Sequence, residues 1–114
     1  PAAAAVEARL FDAEPTLHAP HLMDVEVAQA LRRYAAAGGI DPERGRSALT
    51  DLADFPVNRY PHEFLLPRVW DLRHNLTAYD AVYVALAEAL DAVLLTRDRR
   101  LAAAPGHLAR IELI

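Results

Sequence analysis

The sequence predicts an α/β domain with a largely parallel sheet flanked by helices, and three observations carry that reading. Short runs of strand character alternate with longer helical patterns along the chain. An apolar helical segment, Ala78 to Leu90, is followed at once by a continuous apolar strand, Ala92 to Thr96. Proline and glycine stand at the joints, at Pro15, Pro20, Gly38, Gly39, Pro61, Pro105 and Gly106.

Taken in order, Ala2 to Ala13 holds good helix formers with Val6 and Leu10 on one face, and Pro15 stops it. Thr16 to Ala19 is a short extended piece. Pro20 then opens a long helix in which Met23, Val27, Ala30, Leu31 and Tyr34 form one stripe, ended by Gly38 and Gly39. Asp41-Pro42 is a cap followed by a first-turn proline, which places a helix from Pro42 to Asp54. Val57 to Tyr60 reads as a strand closed by Pro61, and Glu63 to His74 as a helix running through Pro67. After the helix Ala78–Leu90 and the strand Ala92–Thr96 come a short helix, Arg99 to Ala103, and a final strand, Arg110 to Ile114.

Composition narrows the function classes. The chain of 114 residues has room for one domain, and 54% hydrophobic residues with four glycines suit a packed core. A net charge of −4 argues against a basic nucleic-acid coat. The absence of cysteine rules out disulfides, thiolate metal sites and cysteine nucleophiles, and fits a reducing cytoplasm. The apolar run Ala81 to Ala87 falls far short of a membrane span, so no membrane partner is expected. The histidines, His18, His21, His62, His74 and His107, form no zinc pattern, and no nucleophile elbow, Walker loop or dinucleotide fingerprint occurs. Tyr34, Tyr79, Tyr83 and Trp70 are assigned to core or interface packing over base stacking, while Tyr60, at the strand end Arg59-Tyr60-Pro61, is open to either.

In an α/β sheet the helix N-termini gather at the carboxyl edge of the strands, where ligands bind. Three acids fall there. Asp80 enters the first turn of a helix whose next seven residues are apolar; it is either half of a capping box with Thr77 or a metal ligand. Asp98 follows the strand Ala92–Thr96 by two residues, as an N-cap for Arg99 onward or as a second ligand beside Asp80. Neighbouring carboxylates repel, so the pair calls for a cation, either a metal or an arginine. Glu26 borders the apolar stripe of its helix, on a solvated face or at the same edge, whereas Asp24 reads as a first-turn acid favoured by the helix dipole. Three converging carboxylates make a hard oxygen site suited to Mg²⁺ or Mn²⁺ and to phosphodiester hydrolysis, although helix N-termini attract acids without any function. Thr96 and Thr77 either orient a bound group or serve as strand-end and capping residues. All twelve cationic residues are arginine; Arg97, Arg99 and Arg100 flank Asp98 either as phosphate contacts or as a solvated run.

The run Leu72-Arg73-His74-Asn75-Leu76-Thr77-Ala78-Tyr79-Asp80-Ala81, then Leu94-Leu95-Thr96-Arg97-Asp98, with Leu22-Met23-Asp24-Val25-Glu26-Val27 upstream, resembles PIN-domain ribonucleases, specifically the VapC toxins of type II toxin–antitoxin systems. The resemblance spans essentially the whole chain. It implies a three-layer PIN-like domain with a mostly parallel central sheet, and a Mg²⁺- or Mn²⁺-dependent endoribonuclease. It further implies a site of acids mapping here to Glu26, Asp80 and Asp98 with Thr96 in support, a VapB-type antitoxin partner and a homodimer. The family's first aspartate ends an opening strand that has no counterpart before the helix at Ala2, so residues 1–114 are expected to form a single, N-terminally incomplete domain. A non-catalytic PIN-like binding module with an incomplete metal site is the competing reading; a phosphatase of unrelated α/β type is weakened by the lack of an aspartyl nucleophile motif.

Overall fold

The computed structural model describes residues 16–114. The helix read at Ala2 to Ala13 lies outside them. In chain order the elements are β1 (His18–Pro20), α1 (Leu22–Ala36), α2 (Pro42–Asp54), β2 (Asn58–Tyr60), a 3₁₀ turn (Glu63–Leu65), α3 (Leu66–Asp71), α4 (Ala78–Leu90), β3 (Val93–Thr96), α5 (Arg99–Ala103) and β4 (Arg110–Leu113).

Local chemistry explains the boundaries. The Asp41 side chain accepts from the Glu43 backbone N–H, and Pro42 occupies the first turn where no N–H is needed, so α2 starts as read. Helix α1 closes through Gly38, whose φ of +78 suits a residue without Cβ; its N–H reaches the Ala35 carbonyl, and that of Gly39 the Tyr34 carbonyl. The start of α1 has an unusual cap. His62 Nε2 accepts from the Leu22 N–H at 2.9 Å, which assigns this imidazole nitrogen as an acceptor. The segment Glu63–His74 departs from the single helix expected. It divides into a 3₁₀ turn and a short helix that ends at Asp71, because Pro67 cannot continue a preceding hydrogen-bond ladder and instead sits in the first turn of α3.

All strand pairing is parallel, as expected, but it falls into two pairs, β1 with β2 and β3 with β4. The single central sheet of the sequence reading is therefore divided among the described residues. Between the pairs lies a cleft of about 460 Å³, lined by Leu17 to Pro20 on one side and Ala92 to Leu95 on the other, with Met23, Tyr83 and Leu86 among its remaining walls.

Helix α4 is the keel that joins the two pairs, packing on β1, β3, α3 and the 3₁₀ turn. Its residues Ala81, Val82, Val84, Ala85 and Leu86 are buried against Leu65, Val69, Leu72, Leu76 and Leu101. Burial of each large apolar side chain contributes about 1.5–3 kcal/mol relative to exposure, so this helix needs no amphipathic stripe to be stable. It starts at Thr77, whose hydroxyl accepts from the Asp80 N–H. It stops at Asp91, a non-glycine residue in the left-handed region at φ 50.

Candidate active site

Helix α1 follows β1, α5 follows β3, and α4 runs back along β3, so the three helix N-termini lie toward the carboxyl edge of the strands. The acids singled out in the sequence are carried on the early turns of these helices or at their caps.

Glu26 is tied to α4, the helix that carries Asp80, by a residue assigned in the sequence to packing. The Tyr83 hydroxyl donates to Glu26 Oε1 at 2.5 Å, across 57 residues of chain. Tyr83 stands three residues after Asp80, one turn along the same face of α4. The phenol is pushed well above its ordinary value, first by burial and then by the hydrogen bond to Glu26, with the charges of Glu26, Asp24 and Asp80 adding to the effect. It therefore keeps its proton and remains a donor. A signal was present in the sequence: a lone hydroxyl inside an apolar, buried helix needs a partner.

The Asp80 carboxylate is half-buried and, among the described residues, has neither a hydrogen bond nor an ion pair; only its backbone N–H is engaged, by Thr77. The capping box is thus half made. Thr77 caps the helix, and the Asp80 side chain does not return the bond.

Asp98 does serve as a cap. Its Oδ1 accepts from the Arg100 and Leu101 N–H groups, which begins α5, and its own N–H is held by Thr96 Oγ1 at 3.0 Å. Thr96 therefore fixes the backbone from which Asp98 projects. Asp24 is committed elsewhere: Oδ2 pairs with Arg59 Nε at 2.7 Å, while Oδ1 is buried with no hydrogen-bond partner among the described residues. Arg97, Arg99 and Arg100 are exposed and meet no carboxylate among the described residues. Tyr60 and His18 are joined through the phenol oxygen and Nδ1 at 2.7 Å.

These oxygen donors have the chemistry of a hard-cation site, and the Asp80 carboxylate in particular meets no counter-charge among the described residues. Among the described residues, however, no three acidic or histidine side chains close into a cluster that would hold a metal ion. The structure brings Glu26 and Asp80 around Tyr83 and leaves Asp98 occupied with its helix.

Comparison with known proteins then decides the family. The model of the PIN domain matches residues 1–106. The chain belongs to the PIN-domain family. Its similarity extends to ribonuclease VapC1 of Mycobacterium tuberculosis, 50% identical over 113 residues that make up 98% of this chain and 85% of the relative. It is also similar to ribonuclease VapC9 of the same organism, 48% identical over 83% of this chain and 75% of the relative, and to ribonuclease VapC12, 41% identical over 100% and 87% respectively. The PIN-like α/β architecture expected from the sequence is thus the family's own, while the pairing of the strands is a feature seen only in three dimensions. No helix among the described residues is long and apolar enough to cross a membrane.

Proposed function

We propose that this PIN domain is the endoribonuclease toxin of a toxin–antitoxin pair, hydrolysing RNA phosphodiester bonds with Mg²⁺ or Mn²⁺ and restrained by a VapB-type antitoxin. The observation that carries the proposal is the Asp80 carboxylate, half-buried with no cationic partner among the described residues, three positions before Tyr83 of the Tyr83–Glu26 pair, in a chain about half identical to named VapC ribonucleases. The acids this reading assigns to the ion are Glu26, Asp80 and Asp98, with Thr96 supporting the Asp98 backbone, and they would have to draw together from the arrangement described, Asp98 away from the cap of α5. When bound, such an ion stabilises charge building on the phosphoryl oxygens and activates water. The protein's own part is to carry carboxylates at the strand edge and to present Arg97, Arg99 and Arg100 to a phosphate backbone.

The test is RNA cleavage by the full-length, antitoxin-free protein with Mg²⁺ or Mn²⁺, with EDTA, and with Asp80→Asn. Cleavage that is lost in both controls supports the reading. A folded protein that binds RNA yet cleaves none with either ion overturns it in favour of a non-catalytic binding module, the reading favoured by the absence of a three-acid cluster among the described residues.

A further inference from the structure

We infer that the groove between α1 and α2 is a docking site for an amphipathic helix of a protein partner, one whose apolar ridge is flanked by acidic side chains. None of Glu26, Asp80 and Asp98 lines this groove, so its occupancy is independent of the cation-site reading.

Helices α1 and α2 pack on each other, yet no residue of α1 is buried and of α2 only Gly45 is. The groove between them holds about 320 Å³. Ala28, Leu31 and Ala35 form one wall over about two helical turns, and Gly45 and Leu49, one turn apart, form the other. Leu49 is left 37% exposed. Arg32 and Arg46 stand on the rims. Arg32 meets no carboxylate among the described residues, and Arg46 reaches Glu43 only at 3.7 Å, with side chains 79% and 80% exposed, a pair that contributes little.

This chemistry selects the occupant. The walls are helices whose N–H and C=O groups are spent in their own ladders, so a segment lying between them must satisfy its own backbone, as a helix does. Apolar side chains at i, i+3 or i+4 and i+7 match the length of the groove. The lining is aliphatic and offers no aromatic ring on which an RNA base could stack. The two arginines call instead for carboxylates on either side of the apolar ridge. An occupant there grips the helix that carries Glu26, which stands five residues before Leu31.

The experiment is a titration of the full-length protein, followed through its backbone amide NMR shifts, with a synthetic helix of about 18 residues that bears leucines at i, i+3, i+4 and i+7 flanked by glutamates. A matched helix with lysine for glutamate is the counter-probe. The glutamate helix is expected to shift the Leu31, Ala35, Gly45 and Leu49 amides and to bind at least about tenfold tighter than the lysine helix. Arg32→Glu combined with Arg46→Glu should reverse that order, and Leu49→Ser should weaken the glutamate helix by about tenfold, with thermal unfolding showing that each variant stays folded. Absence of binding, shifts at another surface, a charge order unchanged by the double variant, or displacement of the helix by single-stranded RNA overturns the inference. Sedimentation showing self-association of the parent that Leu49→Ser abolishes also overturns it, because the occupant is then a second copy of the chain.

Discussion

The two ends of helix α4 handle a carboxylate in opposite ways. Near its C-terminus Glu88 is fully employed: Arg68 Nε and Nη2 grip its two oxygens at 2.7 and 2.9 Å, and the Leu108 N–H donates to Oε2 at 2.6 Å. This is the end of a helix where a negative charge is unfavourable, and the guanidinium offsets the dipole. Glu88 is accordingly held below the usual glutamate range by the Arg68 hydrogen bonds, with burial opposing and the Leu108 N–H assisting. At the N-terminus, where the dipole favours an acid, Asp80 is given no counter-charge among the described residues and shares its neighbourhood with Glu26. One end uses charge to fasten α3 and the loop before β4 to the helix. The other carries an acid that fastens nothing among the described residues.

Exchanging the chemistry of the two ends should separate these roles most clearly. Asp80→Asn is expected to lower RNA cleavage by about a hundredfold or more, since losing a ligand to a catalytic ion removes several kcal/mol of transition-state stabilisation. Its urea-unfolding free energy should move by no more than about 0.5 kcal/mol, because the Asp80 side chain makes no hydrogen bond or ion pair among the described residues and only its helix-dipole term is lost. A large loss of stability in that variant would make Asp80 a brace like Glu88. Arg68→Ala should do the reverse, costing about 2 kcal/mol in the same urea experiment by leaving Glu88 half-buried without its bidentate partner, with cleavage per folded molecule retained. Thr77→Ala removes a cap without touching either carboxylate and is expected to cost about 1 kcal/mol. The smallest effect is in pH. Because Glu88 is depressed in the folded state, the unfolded chain binds its proton first; the stability from the pair is complete above the ordinary value of 4.5 and is lost as pH falls through the lower folded value. Urea titrations at pH 7 and pH 3 should show a steeper acid loss in the parent than in Arg68→Ala.

How much of this could be read beforehand divides along the same line between local and distant contacts. Helices α2, α4 and α5 begin where Asp41, Thr77 and Asp98 announce them, since a cap is a chemical event within three residues of itself. The break at Pro67 is invisible to spacing alone: Phe64, Val69 and Leu72 fit one continuous helix, but the ring ends one ladder and starts another. The division of the strands into two pairs has no local signature, because a parallel partner is chosen by crossovers rather than by the strand's own period. In the site, the capping role of Asp98 was visible, whereas Tyr83–Glu26 and Arg68–Glu88 join residues 57 and 20 positions apart and emerge only when the chain is folded.

The unequal reach of the two parallel pairs sets an order of assembly. Val93 finds Arg110 after 17 residues, spanning the single short helix α5, whereas His18 must find Asn58 across 40 residues and two helices. In a flexible chain the longer closure costs about 0.8 kcal/mol more entropy, and contacts of greater separation are made more slowly. The β3–α5–β4 unit is thus the part that can close early, on an α4 already helical. The β1–β2 pair, which carries Glu26 in its wake, docks later. Pulsed hydrogen exchange during refolding would show protection rising first in β3 and β4, so that the chain would gain its scaffold before its acidic site.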